Sequence, residues 1–283
     1  MWNKTGFLVD KLRGNGYIQE MDKTEFTADR SGTGTKEWSE HSVNFGRGCV
    51  HNCEYCYARS MALRFGRIKN REDWALEVVD MAKVRQRRLA VIGITMFPTT
   101  HDVSPTYLPH ALTVLEKILK AGNKVLIVSK PHLECVKELC ARFGQYRGNI
   151  LFRFTIGTLN PEVSKFWEPG APLPEERLQS LAYAYGEGFE TSVSGEPMLL
   201  GTDDAMHTFA GVEQYVTQAI WLGKLNKARQ RIDMTRPELV EAVVEIERLQ
   251  ADKEIERLYD ALKGHPKVQW KDSIKKVMRA AIS

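Results

Sequence analysis

Short apolar runs alternate with segments whose apolar residues recur at helical spacing through most of the chain. Six runs have the length and composition of buried strands: residues 42–45, 89–96, 124–128, 150–156, 189–194 and 216–222. Apolar spacing with Gly and Pro stops predicts helices over residues 57–65, 71–84, 109–119, 132–143 and 174–185, and from about residue 204. This alternation predicts an α/β fold with a parallel sheet and helical crossovers. The periodicity alone allows either a partial barrel or a doubly wound open sheet.

Two flanking segments do not follow this alternation. Residues 1–40 are polar and punctuated by glycine, yet they carry five aromatic residues: Trp2, Phe7, Tyr17, Phe26 and Trp38. We therefore predict an N-terminal extension that packs on the barrel of residues 41–226. Residues 227–283 contain apolar stripes at 237–263 and 268–282, which predict C-terminal helices that cover the open side of the barrel.

Length and composition are those of an ordinary globular protein. With 283 residues, of which 43% are hydrophobic and 27% charged, the chain can bury a substantial core. No apolar stretch approaches the roughly 20 residues of a membrane span, and the N-terminus lacks a basic start with a long apolar run. We expect a cytoplasmic protein without membrane contact.

The small net charge of +4 is unevenly distributed. Near the C-terminus a single acid, Asp272, stands among five basic residues: Lys267, Lys271, Lys275, Lys276 and Arg279. Residues 83–88 form a second basic run. Such clusters contact phosphates or form solvated helix faces, so nucleic-acid binding through the C-terminal end is one of two interpretations.

Three of the five cysteines, Cys49, Cys53 and Cys56, have the spacing C-x3-C-x2-C. Without secretory features, such spacing favours a metal or a cluster over disulfides. Three thiolates leave one corner of a cubane cluster or a zinc site without a protein ligand. A zinc loop completed by His51 and a chance grouping of cysteines are the alternatives.

The string G-C-x-H-x-C-x-Y-C-Y-A around these cysteines resembles the radical SAM superfamily, in particular its spore photoproduct lyase-like branch. The resemblance implies a partial (β/α)6 barrel and a 4Fe–4S cluster on the three thiolates, with S-adenosylmethionine (SAM) chelating the fourth iron. In that superfamily an electron, supplied here by an external donor of flavodoxin or ferredoxin type, splits SAM to methionine and a 5′-deoxyadenosyl radical. The radical takes hydrogen from a substrate, which the sequence does not identify.

The same resemblance gives roles to residues that follow the strands, where ligands of such folds bind. Tyr55 and Tyr57 flank Cys56 as tyrosines do in the lyases, where they serve hydrogen transfer, so both are catalytic candidates. Thr100 and Asp102 are the nearest matches to T-D-P-Y-Q-P, with His101 inserted between them. We predict a cofactor contact for Thr100 and a catalytic role for Asp102.

Four further cofactor contacts follow from the later strand ends. Lys130 stands where the branch has T-K-S and is expected to pair with the SAM carboxylate. Thr155 and Thr158 match hydroxyl residues that point toward SAM. Glu196, after the fifth strand, is expected to bind SAM or the substrate, and residues 224–226 after the sixth strand supply weaker candidates, Lys224 and Asn226. The run from residue 168 to 177, E-P-G-A-P-L-P-E-E-R, is a family marker to which we assign a structural role.

The remaining cysteines argue against one activity of this branch. Photoproduct lyases donate a hydrogen atom from a cysteine downstream of the cluster motif, whereas Cys135 and Cys140 lie in the helix predicted after the third strand. No cysteine follows Cys140. We expect both to be buried small apolar residues and the reaction to differ from photoproduct repair.

Overall fold

The computed structural model of the chain describes Phe26 and residues 34–282. The part of the predicted extension before residue 34, apart from Phe26, lies outside the described residues.

Seven parallel strands form the central sheet in the spatial order β1-β4-β5-β6-β7-β8-β9. They are β1 (His41–Ser42), β4 (Ile94–Phe97), β5 (Lys124–Ser129), β6 (Ile150–Thr155), β7 (Glu190–Gly195), β8 (Ile220–Leu222) and β9 (Val268–Trp270). A small antiparallel pair, β2 (Gly46–Arg47) and β3 (Val78–Val79), lies beside it. The α/β fold class is confirmed.

The helices connect these strands. They are α1 (Tyr57–Arg64), α2 (Met81–Arg85), α3 (Leu108–Lys120), α4 (Leu133–Phe143), α5 (Pro161–Trp167), α6 (Pro174–Gly186), α7 (Thr202–Val212), α8 (Ala228–Arg231), α9 (Pro237–Leu249), α10 (Asp252–Leu262) and α11 (Asp272–Ile282). Among the residues that the structure describes, none of these helices combines the length and the apolarity needed to cross a lipid bilayer.

The two faces of the sheet have different neighbours, because strand residues alternate between them. Val125 and Ile127 face a large cluster to which α3, α4, α6 and α7 contribute apolar residues. Leu126 faces a smaller cluster that contains Trp38 and Trp221. The helices therefore cover one face, while Trp38 of the N-terminal segment packs on the other.

Several predicted boundaries were wrong. The predicted helix over residues 71–84 is a 3-10 turn (Glu72–Ala75), then β3, and then α2, whose first turn is capped by Asp80. The second strand begins only at Ile94, because Gly93 has a φ of +91° and Ile92 before it is 95% exposed. Residues 89–93 therefore form an exposed turn that only resembles a strand in composition.

The C-terminal segment also differs from the helical prediction. Val268–Trp270 is a strand that pairs with β8 through Ile220 and Val268, and α11 begins only at Asp272. A run of three residues next to an amphipathic helix is too short for periodicity to separate from the helix. The added strand places Lys271, which follows it, at the same sheet edge as the ends of the predicted strands.

Candidate active site

A cavity of about 460 Å³ lies where the carboxyl ends of the strands meet. Its size is within the range of small-molecule sites. The wall is formed by the cysteine loop, by residues that follow six strands, and by Gly34, Thr35 and Trp38 of the N-terminal segment. All but one of the predicted site residues line it: Cys49, Cys53, Tyr55, Cys56, Tyr57, Thr100, Asp102, Lys130, Thr155 and Glu196.

The cysteine loop has a defined backbone path. Cys49 N–H donates to the carbonyl of Trp74 at 2.7 Å, and Cys56 N–H donates to the carbonyl of Cys53 at 3.2 Å. The Cys56 sulfur accepts the N–H of Arg59 at 3.4 Å and so caps α1. The three thiols are free and line one cavity, as a shared metal site requires.

Hydrogen bonds from Arg59 and Gly170 stabilise the cysteine loop. The buried Arg59 donates to Asn52 Oδ1 and to the carbonyl of Glu54, each at 2.8 Å. Gly170 N–H donates to the carbonyl of His51 at 3.1 Å, and a Cβ at Gly170 would collide with the carbonyl of Val50. The marker run after residue 168 therefore lies directly against the cysteine loop, and its glycine permits this close approach.

Asp102 connects the cysteine loop to β5. Its Oδ1 accepts from Ser129 Oγ at 2.7 Å and from Lys130 N–H at 2.6 Å, and its Oδ2 lies 3.0 Å from His51 Nδ1. Burial would raise the pKa of Asp102, but His51, the Lys130 ammonium and the Ser129 hydroxyl together hold that pKa far below its usual range. Asp102 is thus a carboxylate fixed by several neighbours.

Two donor sets in this region suit metals. Cys49, His51 and Asp102 place one ligand atom each within 4.8 Å of one another, which resembles the zinc alternative. However, Asp102 already accepts two hydrogen bonds, and His51 Nε2 lies 3.0 Å from His132 Nε2. Among the described residues, the three thiols form no hydrogen bond to a carboxylate or a histidine ring other than the Cys49 contact with Asp102 at 3.9 Å. Burial raises the pKa of Cys53 to about 12, so metal binding there must displace a proton.

A buried charged cluster lies behind Lys130. Lys130 Nζ is 3.8 Å from Glu168 Oε1 and 5.6 Å from the centre of the Tyr55 ring. The Glu168 carboxylate is 2.6 Å from Arg177 and accepts the Tyr55 hydroxyl. Burial raises the pKa of Glu168, but Arg177 and Lys130 outweigh it and lower that pKa. The hydroxyl of the predicted catalytic Tyr55 is therefore bonded to Glu168.

Of the two predicted threonines on and after β6, Thr155 lines the cavity and Thr158 does not. Thr155 lines the cavity beside Ser194, its register partner on β7, whose buried hydroxyl has no partner among the described residues. Sequence reasoning missed Ser194, although it stands one residue before a strand end. Thr158 lies away from the cavity wall, because its hydroxyl donates to Asp204 Oδ1 at 2.9 Å and accepts the N–H of Asn160. The geometry gives no support to a cofactor contact for Thr158.

Tyr57 and Thr100 occupy the wall above the cysteine loop. The Tyr57 hydroxyl donates to the carbonyl of Thr99. Asn44 Oδ1 accepts the N–H groups of Thr99 and Thr100 at 2.8 and 3.0 Å. The segment after β4 is therefore held in place by its backbone, which leaves the Thr100 side chain at the cavity.

The far end of the cavity contains an unexpected lysine. Lys271, 1% exposed, lies 3.2 Å from Glu196 Oε2 and 3.1 Å from Glu37 Oε1, with its Nζ 4.0 Å from the centre of the Trp38 ring. Burial raises the pKa of Glu196, and Lys271 offsets part of that rise. The sequence interpretation of Lys271 as part of a basic surface was wrong, because β9 carries it inward.

The rest of the basic C-terminal end is partly neutralised. Asp272 pairs with Lys276 at 2.7 Å and with Arg279 at 3.1 Å. Besides Lys130 and Lys271, two further cations line the cavity, Lys224 and Arg231, of which only Lys224 was considered from the sequence.

The Radical SAM superfamily model matches residues 43–210. The chain belongs to the radical SAM superfamily. Membership in this superfamily implies SAM and an iron–sulfur cluster. The predicted family is confirmed.

Solved structures of spore photoproduct lyase share the fold. A mutant with bound AdoMet and dinucleoside spore photoproduct matches with a TM-score of 0.51 and 17% identity over 82% of this chain and 76% of that chain. The lyase complexed with dinucleoside spore photoproduct matches with a TM-score of 0.50 and 15% identity over 92% and 87%. At these identities the likeness shows a shared fold.

A curated relative comes from a virus. Uncharacterized protein ORF301 of Acidianus two-tailed virus is 28% identical over 182 residues, which is 60% of this chain and 60% of that protein. The chain thus matches about three fifths of the relative's length.

Proposed function

We propose that Cys49, Cys53 and Cys56 hold a 4Fe–4S cluster and that the cavity beside them binds SAM. The observation that carries this proposal is the placement of three thiols that form no disulfide, together with the Lys130 ammonium, on the wall of one cavity. When bound, the reduced cluster would supply the electron that cleaves SAM to methionine and a 5′-deoxyadenosyl radical, which abstracts hydrogen from the substrate.

The chain's own residues would bind and orient the ligands. Lys130 would pair with the SAM carboxylate as a point charge, and Asp102 would fix the Lys130 backbone and the cysteine loop. Thr100, Thr155 and Ser194 would offer hydroxyl groups to the ligand. Burial of this wall excludes water from the reacting atoms.

The far end would contact the substrate or the SAM amino group. Lys271 forms ion pairs with both Glu37 and Glu196. The ion pair fixes Oε2 of Glu196, and the residue also lines the cavity. The hydroxyls of both tyrosines are bonded, Tyr55 to Glu168 and Tyr57 to the carbonyl of Thr99. Tyr57 is the better candidate for hydrogen transfer, because it is 40% exposed at the cavity wall whereas Tyr55 is buried.

The substrate class is a further part of the proposal. Lys224 and Arg231 at the cavity would suit an anionic group, and nucleic acid is one substrate that carries such groups. The spore photoproduct lyase structures bind a dinucleoside photoproduct, which agrees with this candidate. An external electron donor of flavodoxin or ferredoxin type would complete the reaction.

The test is iron analysis followed by isotope transfer. Anaerobically reconstituted protein should contain about four irons and four sulfides per chain, as expected for this cluster type. The reconstituted protein is then incubated with SAM, dithionite and fractions of an extract from uniformly deuterated cells. The fraction that contains the substrate should yield deuterated 5′-deoxyadenosine. Fractions with nuclease-sensitive activity would support nucleic acid. Zinc retained at one per chain without SAM cleavage would contradict the proposal.

A further inference from the structure

The proposed reaction requires one electron per SAM cleavage from outside the chain, and one surface next to the cysteine loop has the features of a docking site. Phe65 and Leu76 are 58% and 69% exposed, and Val78, the first residue of β3, is also exposed. We name the exposed residues Phe65, Leu76 and Val78, with Arg47, Arg64 and Arg67 around them, the arginine-rimmed patch.

Contacts of the arginine side chains connect the residues of this patch. The guanidinium groups of Arg64 and Arg67 both lie 5.8 Å from the centre of the Phe65 ring. Arg47 donates to the carbonyl of Arg67 at 3.1 Å, and Arg47 is the register partner of Val78 in the β2–β3 pair. The apolar side chains and the arginines therefore form one surface rather than scattered exposed residues.

The arginines of the patch are not paired with the nearby acids. Within residues 34–282, Arg47, Arg64 and Arg67 form no ion pair. Glu77 is directed inward, where it accepts from Val50 N–H and the buried Ser104 Oγ, whereas Asp73, which accepts from two backbone N–H groups, and the exposed Glu72 keep their charges near the patch. The three arginines outnumber these two carboxylates. The surface thus presents an apolar centre with a positive rim, which complements an acidic partner with an apolar contact area.

The patch lies close to the proposed cluster ligands. Arg47 precedes Cys49 by two residues, so their Cα atoms are at most about 7 Å apart. Helix α1 packs Ala58 and Ala62 against Cys49 and Trp74, while Arg64 at its end is exposed. A helix is about 10 Å across, which leaves one layer of protein between a docked partner and the thiols.

We propose that the arginine-rimmed patch docks a small acidic one-electron carrier protein, whose reduced flavin or iron–sulfur centre gives one electron to the cluster held by the three cysteines. The carrier is oxidised by one electron and the cluster is reduced by one electron. This inference rests on the proposed function, because it requires the cluster.

The experiment compares reduction by a protein and by a small reductant. The variant R47E/R64E/R67E and a charge-matched control, R85E/R87E/K253E, are reconstituted and their iron contents compared. Cluster bleaching is followed anaerobically with photoreduced flavodoxin and, separately, with dithionite, at several salt concentrations. Binding of labelled flavodoxin to the cluster-free chains is measured in parallel.

The patch variant should be reduced by flavodoxin at least about tenfold more slowly than the parent and the control, with a weaker salt dependence. Dithionite should reduce all three at equal rates, and flavodoxin should bind the cluster-free parent but not the cluster-free patch variant. Equal rates with flavodoxin, or a parallel loss with dithionite, would overturn the docking inference alone. A parent chain without a dithionite-reducible cluster would overturn the proposed function and the inference with it.

Discussion

Tyr55 donates its phenolic hydrogen to the carboxylate of Glu168, which lies 113 positions further along the chain. The bond joins the cysteine loop to the marker run, and Glu168 also contacts Arg177 and Lys130. The tyrosine beside Cys56 is therefore held by a charged network that also contacts Lys130.

Substitution Tyr55→Phe should leave SAM cleavage largely intact, because the lost hydroxyl is bonded to Glu168. We expect the free energy of unfolding to fall by roughly 1–2 kcal/mol for the lost buried hydrogen bond. Denaturant titration and the rate of 5′-deoxyadenosine formation with dithionite measure the two effects. Tyr57→Phe is the matched comparison, and loss of cleavage in Tyr55→Phe alone would return Tyr55 to the catalytic candidates.

Glu168→Gln should be strongly destabilising, by about 3–5 kcal/mol at neutral pH, because Arg177 and Lys130 would lose their buried carboxylate. Its effect should also depend on pH. The folded pKa of Glu168 is lowered, so its stabilising contribution is fully present above the unfolded value of about 4.3 and is lost progressively as pH falls from there through the folded pKa.

Unfolding of the parent and of Glu168→Gln at pH 7 and at about pH 3 checks this sign. The difference between them should shrink at the lower pH. Glu175→Gln, an exposed change in the first turn of α6, should show no such loss at either pH. A difference of the same size at both pH values would rule out the charged network as its cause.

Asp102→Asn should impair cluster retention, since Asp102 orients the Lys130 backbone and lies against His51 and Cys49. Partners behind metal ligands typically change metal affinity by about 10–100-fold when replaced. Iron per chain after reconstitution and gel filtration is the measurement. Asp204→Asn, which removes a charge away from the cavity, should keep the parental iron content.

Lys271→Met should destabilise the fold by about 3–5 kcal/mol, because Glu37 and Glu196 would be left as a buried like-charged pair. Lys276→Met, a change of the same size at an exposed site, should lie within about 0.5 kcal/mol of the parent. Thermal unfolding of the two variants measures the effect. Similar melting temperatures of the two variants would show that the ion pairs of Lys271 with Glu37 and Glu196 do not stabilise the fold.

The sequence predicted the grouping of the three cysteines and most of the cavity wall, because short motifs and strand ends are local features. Lys130, Thr155 and Glu196 each follow directly from the position of a strand end. Thr158 does not, because the chain turns at Gly157, where a Cβ would collide with the carbonyl of Pro197. That turn carries Thr158 toward Asp204 instead of the cavity.

Features that depend on long-range pairing were missed. Lys271 reaches the cavity only because three residues of β9 pair with β8, a contact that periodicity does not encode. Glu37 and Trp38 similarly approach Lys271 from the opposite end of the chain. The open hydroxyl of Ser194 becomes a candidate only once its register beside Thr155 is known.

The most direct test is SAM cleavage by the reconstituted chain in dithionite, with Cys53→Ala as the comparison. The parent should form 5′-deoxyadenosine and methionine in equal amounts, and Cys53→Ala should form neither above background. Formation of 5′-deoxyadenosine by Cys53→Ala, or its absence from a parent that carries four irons, would contradict the assignment of the three cysteines to a SAM-cleaving cluster.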